Sequence, residues 1–286
     1  MLNRLSAIMA LFWKRSIIFL LFLLMGTSGC ATLHQRGLNA DQRGEYEQAI
    51  QYYLKHLKEH PDDLDARNDL GIAYLRNGQY DQAITFFEGH IKKFPDDRTA
   101  QKSLAVSYIE GGHIGTAIKY YLAYLNRFPD DLSARNDLGV AYIRSKEYDL
   151  AFLEFKKVLI RDPEYVRTYY NIALIYNFKG LIDEEIKTYK KALSIAPNHR
   201  PTQLNLAHLY LEKGKVDPAK KIYKEILSIQ PNQRRALYNL ALIYDQENKK
   251  KDARTLLKRF LRQNSDPEWR VEAEKHLKRL NTELSQ

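Results

Sequence analysis

The chain is poor in the residues that most often carry chemistry. Cys30 is its single cysteine among 286 residues, which excludes an intramolecular disulfide and a metal cluster held by several thiolates. Its eight histidines are scattered, and although His56 and His60 lie four residues apart, no third ligand accompanies them in the sequence. Glycine-rich phosphate-binding loops, nucleophile elbows and cysteine–histidine pairs are also missing. We therefore predict a protein that is not an enzyme, with no metal and no cofactor.

The overall composition is that of a folded, basic protein. Hydrophobic residues make up 44% and charged residues 28% of the chain, which is ordinary for a soluble domain and argues against disorder. The formal net charge of +10 favours anionic partners such as membrane surfaces, acidic proteins or nucleic acid. Charge alone does not choose among these classes.

The first 29 residues have the composition of an export signal. Lys14 and Arg15 precede an apolar run at residues 17–25, and small residues then lead to Cys30. This order of basic segment, apolar core and small-residue site is typical of a secretory signal peptide, and the run is shorter than the roughly 20 residues that span a bilayer. We predict that residues 1–29 are a cleaved signal peptide. Met9 is an alternative start that would make the signal more compact.

A 34-residue repeat organises the rest of the chain. In the copy at residues 64–97, Tyr74 belongs to a first helical stretch, Gly78 marks a turn and Phe87 belongs to a second helical stretch. The prolines that end the second stretch recur at the same interval: Pro61, Pro95, Pro129, Pro163, Pro197 and Pro231. The Pro-Asp-Asp turns that begin at the first three of these also offer an aspartate to cap the next helix. A fixed period of this length predicts stacked helix–turn–helix units that bury each other's apolar faces.

This pattern resembles the tetratricopeptide repeat (TPR) family. The resemblance implies an all-α fold, a right-handed α-solenoid of about seven TPR helix–turn–helix repeats with a C-terminal capping helix. The TPR array would span residues 30–264, with repeats near 31–63, 64–97, 98–131, 132–165, 166–199, 200–233 and 234–264, and the capping helix would span residues 265–286. Glu185 stands where the other repeats have alanine, which predicts looser packing of that helix pair.

The sequence Thr-Ser-Gly-Cys at residues 27–30 resembles a bacterial lipobox. The resemblance implies that Cys30 receives acyl chains, such as palmitate, and becomes the new N-terminus. Ala31, in place of aspartate, resembles lipoproteins of the outer membrane. We therefore expect a lipid-anchored protein that faces the periplasm of a Gram-negative bacterium. The alternative for Cys30 is a small buried hydrophobic residue.

In TPR proteins the first helices line a concave groove, so the resemblance implies a protein or peptide partner bound there. Asn171, Asn205 and Asn239 occupy position six of three successive repeats, and an amide that both donates and accepts can pair with any peptide backbone. Alternatively, these asparagines are solvated or bonded within their helices. The other predicted groove residues are at position five: Asn68, Lys102 and Asn136.

The last repeat is basic. Its predicted basic surface consists of Lys249, Lys250, Lys251, Arg254, Lys258 and Arg259. Such a cluster is either a solvated face or a contact for anionic lipid headgroups or an acidic partner. Nucleic acid is not expected as a partner, because the export signal points outside the cytoplasm.

The resemblance implies a non-enzymatic scaffold lipoprotein that binds partner proteins in cell-envelope assembly. Similar TPR lipoproteins help to build pilus secretins, recruit peptidoglycan hydrolases or serve outer-membrane protein assembly. The alternative is an accessory protein of polysaccharide or lipid export that binds glycan or lipid, which aromatic groove residues such as Tyr170 and Tyr238 would favour. The tyrosines that recur on the buried helix face are expected in the core instead: Tyr74, Tyr108, Tyr142, Tyr176, Tyr210 and Tyr244.

Overall fold

The computed structural model describes residues 32–263 and 267–285, so the predicted signal peptide and Cys30 lie outside the described residues. Over the described ranges the protein is all-α. Its helices are α1 Leu33–Gln42, α2 Tyr46–Glu59, α3 Leu64–Arg76, α4 Tyr80–Lys93, α5 Arg98–Glu110, α6 Ile114–Arg127, α7 Leu132–Arg144, α8 Tyr148–Arg161, α9 Val166–Phe178, α10 Ile182–Ile195, α11 Arg200–Glu212, α12 Val216–Ile229, α13 Arg234–Gln246, α14 Lys250–Leu261 and α15 Pro267–Ser285.

The helices pack in chain order. Within each of two compact units, the first helix of a repeat packs against the second, and the second packs against the first helix of the next repeat. Helix contacts divide the chain into two compact units, Met1–Tyr120 and Tyr121–Gln286. This order of contacts confirms the α-solenoid class that the sequence predicts. No helix in the described part of the chain combines the length and apolar character needed to cross a membrane.

The predicted aspartate caps are present. Asp63 starts α3 by accepting a hydrogen bond from the Ala66 backbone N–H at 3.0 Å, and Asp97 caps α5 in the same way. Asp131 caps α7 with the same geometry. Each carboxylate satisfies one of the backbone donors that a helix start leaves open. The Pro-Asp-Asp turn is therefore the signal that begins these helices.

Small residues allow the two helices of a repeat to approach closely. Gly71 on α3 faces the fully buried Phe87 ring of α4, and a Cβ at Gly71 would lie 2.2 Å from that ring. Gly139 faces Phe155 in the same manner. Ala83 on α4 has no exposed surface. The small residues of the repeat thus define the helix crossing rather than a chemical site.

The recurrent tyrosines lie on the packed face, as the sequence predicts. Tyr142 and Tyr210 are buried, and Tyr74 packs against Phe86 with ring centroids 6.1 Å apart. The other members of the set are partly buried. Much of their surface is therefore taken up by packing between helices.

The prediction of looser packing at Glu185 is wrong. Helices α9 and α10 pack closely, and Glu185 is only 3% exposed. Its carboxylate accepts a hydrogen bond from the Asn177 amide at 3.2 Å. Burial raises the pKa of Glu185, and the bond from Asn177 acts in the opposite direction. The two helices therefore pack closely around a buried, hydrogen-bonded carboxylate at the place where other repeats have alanine.

Helix α15 covers the end of the last repeat. Its Ala273 and Leu280 are fully buried in the same apolar cluster as residues of α11–α14. Trp269 contacts Tyr238 of α13 and Phe260 of α14, with ring centroids 5.4 and 6.4 Å apart. These buried residues give α15 the apolar face of a helix that caps a repeat array, as the sequence predicts for this segment.

Candidate functional site

The predicted groove residues of the second unit form a polar row on its first helices, which we call the asparagine row: Asn171, Asn205 and Asn239. Asn171, on α9, is the most covered of the three, with 8% of its surface exposed. Its amide nitrogen donates a hydrogen bond to the side-chain oxygen of Asn136 at 3.2 Å. Asn171 therefore contributes to packing between α7 and α9 and offers little surface to a partner.

The prediction that Asn136 lines the groove is wrong. Asn136 has no exposed surface. Its side-chain oxygen accepts hydrogen bonds from Thr168 at 3.0 Å and from Asn171 at 3.2 Å. A buried amide needs such partners because an unsatisfied one would cost free energy. Asn136 consequently joins two successive first helices and does not contact solvent.

Asn205, on α11, is half-buried, and two tyrosine side chains bind its amide group. Its amide nitrogen donates to the hydroxyl groups of Tyr170 at 3.3 Å and Tyr189 at 3.2 Å. Both amide hydrogens are thereby used, so the side-chain oxygen is the group that remains to accept a hydrogen bond from a partner. Two phenols thus fix the orientation of this amide before any partner binds.

Asn239, on α13, occupies the equivalent place one repeat later and is also half-buried. Its neighbour is Tyr223 of α12, which is fully buried. Burial raises the pKa of Tyr223 to about 12, while Arg235 and the Asn239 amide act to lower it. Asn239 therefore lies against a tyrosine of the preceding second helix, as Asn205 does against Tyr189.

Two exposed arginines flank the asparagine row at position two of their helices. Arg167 donates to the Asp137 carboxylate at 3.3 Å. Arg235 is exposed and has no ion pair within residues 32–263 and 267–285. The row is therefore bordered by cationic groups that can pair with acidic side chains of a partner.

One of the two predicted groove residues of the first unit faces a turn. Asn68 is half-buried, and its amide donates to the Asp97 carboxylate at 2.9 Å. Lys102 is half-buried as well. The Asn68 donor is therefore committed to the cap of α5, which sequence position alone does not reveal.

Sequence reasoning missed a recurrent network around the aspartate caps. The carboxylate of Asp97 lies 2.8 Å from Nε2 of the buried His90, whose Nδ1 accepts from Arg67 at 2.8 Å. Burial acts to raise the pKa of Asp97, but hydrogen bonds from the Ala100 N–H, Asn68 and His90 outweigh it and lower the pKa. The available signal was a histidine or tyrosine seven residues before each capping aspartate.

The same network differs in the first repeat. His56 lies 2.8 Å from the Asp63 carboxylate, and His34 of α1 takes the place that Asn68 has in the next repeat. The ring centroids of His34 and His56 are 5.4 Å apart. The sequence predicts no metal site because His56 and His60 have no third ligand beside them, whereas the fold brings two further ligands, His34 and Asp63, close to His56.

The predicted basic surface separates into two sets. Lys249 pairs with Glu247 and Lys250 with Glu283, both at 2.6 Å, and Arg259 donates to the Pro231 carbonyl at 2.5 Å. The remaining three recur at intervals of three and four residues along α14 and have no ion pair within the described ranges: Lys251, Arg254 and Lys258. These three side chains offer charge that no carboxylate of the described residues neutralises, and their contact with lipid or an acidic partner stays a prediction.

The aromatic groove residues pack against other rings of the same repeat or of the helix that follows it. Tyr170 contacts Tyr189 at a centroid distance of 6.0 Å and His199 at 5.8 Å. Tyr238 contacts Phe260 and Trp269, each at 5.4 Å. The two tyrosines therefore do not form one continuous stacking platform of the kind that a glycan partner would favour.

Comparison with protein families supports the repeat assignment. One tetratricopeptide-repeat sequence model matches residues 42–106, 186–234 and 219–274, which is more than half of the chain. Two further models of the same repeat match residues 166–199 and 103–166. No curated protein sequence matched the chain.

Solved structures share the fold. A TPR protein from Parabacteroides merdae is 20% identical, with a TM-score of 0.58 over 87% of this chain and 97% of that protein. A thermophilic TPR protein from Thermus thermophilus is 25% identical, with a TM-score of 0.54 over 63% of this chain and 97% of that protein. PilF of Pseudomonas aeruginosa is 19% identical, with a TM-score of 0.58 over 74% and 96% of the two chains.

TPR proteins are in general non-enzymatic scaffolds that bind protein or peptide partners, and the matches indicate no catalytic family. The all-helical architecture, the order of helix contacts and the small residues at the helix crossings agree with the matched repeat models. The chain belongs to the tetratricopeptide-repeat family.

Proposed function

We propose that this protein is a non-enzymatic scaffold lipoprotein of the cell envelope that holds an extended segment of a partner protein along Asn205 and Asn239, the two half-buried members of the asparagine row. Acylation of Cys30 would anchor it to the outer membrane, facing the periplasm. More than one acyl chain gives stable anchoring, because each buried methylene contributes about 0.8 kcal/mol. In this arrangement the protein would bring its partner to sites of envelope assembly, such as pilus or secretin biogenesis or the recruitment of cell-wall enzymes.

The observation that carries the proposal is the fixed Asn205 amide. Tyr170 and Tyr189 hold its nitrogen, which leaves its oxygen to accept a backbone N–H of a bound segment. A group that is already oriented loses little conformational entropy on binding. Asn239 lies one repeat further on, so a segment that crosses α11 and α13 would meet two such amides.

Charge adds a second element of recognition. Arg167 and Arg235 are exposed beside the row, and the guanidinium group pairs well with carboxylates. The partner segment that fits best is therefore an extended stretch with acidic side chains. The asparagines would bind its backbone, and the arginines would bind its carboxylates.

Site-specific photo-crosslinking in cells that produce the full chain tests the proposal. A photoreactive residue replaces His208, which is exposed on α11 one turn after Asn205. The matched control replaces Lys221, which is exposed on the second helix α12. We expect a protein adduct from position 208 and none from position 221. The double variant Asn205→Ala/Asn239→Ala should reduce the adduct at position 208.

Equal adducts from positions 208 and 221 would contradict the proposed binding surface. An adduct at position 208 that the double variant leaves unchanged would retain the surface and remove the asparagines from recognition. Recovery of a glycan or lipid adduct in place of a protein would favour the export alternative.

A further inference from the structure

The turn between α2 and α3 and the start of α1 bring together three side chains of the kinds that bind transition metals. His34 lies on α1, His56 lies on α2 and Asp63 caps α3. One ligand atom from each of the three lies within 4.8 Å of the other two, and all three side chains are partly buried. A metal ion at this place would therefore touch three successive helices.

The equivalent turns of the next repeats show what is special about this one. In the second repeat, His90 and Asp97 keep the pairing at 2.8 Å, but Asn68 stands in the place of His34 and Arg67 occupies the other ring nitrogen of His90. In the turn before α7, the hydroxyl of Tyr124 donates to Asp131 at 2.8 Å. One histidine or tyrosine is thus enough as the ring partner of the aspartate that caps the next helix.

The first repeat has a second imidazole, that of His34, which the helix cap at Asp63 does not need. His34 is held by Asp69, whose carboxylate oxygen lies 2.7 Å from Nε2 of His34. A carboxylate that orients an imidazole in this way is the usual outer partner of a histidine that binds a metal ion. The cap function explains His56 and Asp63, and it leaves His34 and Asp69 unexplained.

We propose that His34, His56 and Asp63 form a binding site for a divalent transition metal, with Zn²⁺ as the ion that the ligand set fits best. Two imidazole nitrogens and one carboxylate oxygen are common zinc ligands, and water completes the tetrahedral coordination. Binding requires both histidines in their neutral form and displaces the hydrogen bond between His56 and Asp63. Any proton on those rings is then released to solvent.

The consequence for the protein is a cross-link at its amino-terminal end. The ion would tie α1, which begins three residues after Cys30 in the sequence, to the α2–α3 turn. Because the ion binds the folded arrangement and not the unfolded chain, it would raise the thermal stability of the first repeat. This role is independent of the asparagine row, so either proposal can fail without the other.

Titration of the full chain with Zn²⁺, in a Cys30→Ser background that removes the thiol, tests the site by calorimetry. The two ligand variants copy residues from equivalent turns of the same protein. His34→Asn introduces the residue found at Asn68, and His56→Tyr introduces the residue found at Tyr124. The control is His60→Asn, an exposed histidine whose ring lies 4.7 Å from His56 but which is outside the ligand group.

We expect the parent chain and the His60→Asn control to bind zinc with equal affinity. Each ligand variant should weaken binding by more than about 100-fold, beyond the effect of losing an outer-shell partner. Zinc should raise the melting temperature of the parent and leave that of the ligand variants unchanged, while circular dichroism shows that the variants remain helical.

Two outcomes would overturn the proposal. One is a parent chain without saturable zinc binding. The other is binding by His34→Asn and His56→Tyr that equals binding by the parent. If one of the two variants failed to fold, the other would decide the question alone.

Discussion

At the residue scale, Lys146 occupies a backbone conformation that five other repeats give to glycine. Its φ is 65°, and the glycines at equivalent turns have values between 68° and 82°: Gly44, Gly78, Gly112, Gly180 and Gly214. Asn248 takes the same conformation in the last repeat, with a φ of 58°. A side chain with a Cβ is strained there, and lysine lacks the local hydrogen bonds that help asparagine.

Replacement of Lys146 by glycine should therefore stabilise the protein. We expect the free energy of unfolding to rise by about 1 kcal/mol, because the left-handed conformation costs a non-glycine residue roughly that amount. Urea denaturation followed by circular dichroism measures the change. Lys146→Ala is the matched control, since alanine keeps the Cβ; a gain of the same size with alanine would show that removal of the lysine charge, and not backbone strain, is responsible.

Glu185 gives a second prediction at this scale. Burial raises its pKa in the folded protein, so folding favours the protonated carboxyl group. The resulting destabilisation develops as pH rises through the usual glutamate pKa and is complete above the folded pKa. Glu185→Ala should therefore increase the free energy of unfolding by about 1 kcal/mol at neutral pH and have a smaller effect near pH 4, at about the unfolded pKa.

Denaturant midpoints at the two pH values measure this difference. Glu184→Ala is the control, because Glu184 is the exposed neighbour on the same helix and should show little dependence on pH. If Glu185→Ala were less stable than the parent at neutral pH, the hydrogen bond from Asn177 would outweigh the cost of burial.

At the element scale, the helix crossing within a repeat depends on residues too small to separate the backbones. Ala83 on α4 is fully buried and belongs to one apolar cluster with Phe87, Ala100 and Leu104. Ala83→Leu adds methyl groups to this closed space. We expect a loss of about 1–3 kcal/mol from overpacking, measured as a lower melting temperature. Gln82→Leu, at an exposed position of the same helix, should leave the melting temperature nearly unchanged.

The helices were predictable from sequence because their signals are local. Apolar spacing, the turn glycines and the Pro-Asp-Asp caps all lie within one 34-residue period, so they fix where each helix begins and ends. The burial of Asn136 was not predictable in this way. It depends on Thr168 and Asn171 in the following repeat, and the repeat pattern does not reveal which polar side chains meet across two repeats.

The same limit applies to the candidate sites. The asparagine row follows from the period, but the tyrosine hydroxyls that orient Asn205 come from two different helices. His34 and His56 are 22 positions apart and meet only because α1 and α2 fold back on each other. Ligands this far apart in the sequence cannot be recognised from the spacing of neighbouring residues.

At the scale of the whole molecule, the proposed anchor determines where the protein resides. Cys30→Ser removes the only thiol that can be acylated. We expect the variant to leave the membrane fraction and appear in the soluble periplasmic fraction after cell fractionation, because the protein would lose its acyl chains. Retention of Cys30→Ser in the membrane fraction would refute lipid anchoring. The control is the double variant Lys251→Gln/Lys258→Gln, which keeps Cys30. It changes the surface charge but retains the acylation site, so it should stay in the membrane fraction.

The contacts between helices have a mechanical consequence. Within each of the two compact units, a helix packs mainly on its neighbours along the chain. Tension applied at one end of a unit therefore loads a single interface at a time instead of many in parallel. A pulled molecule would release its helix pairs one after another, each adding roughly 120 Å of extended chain. A tethered protein built this way yields gradually to force and can refold the released pair against the neighbour that remains in place.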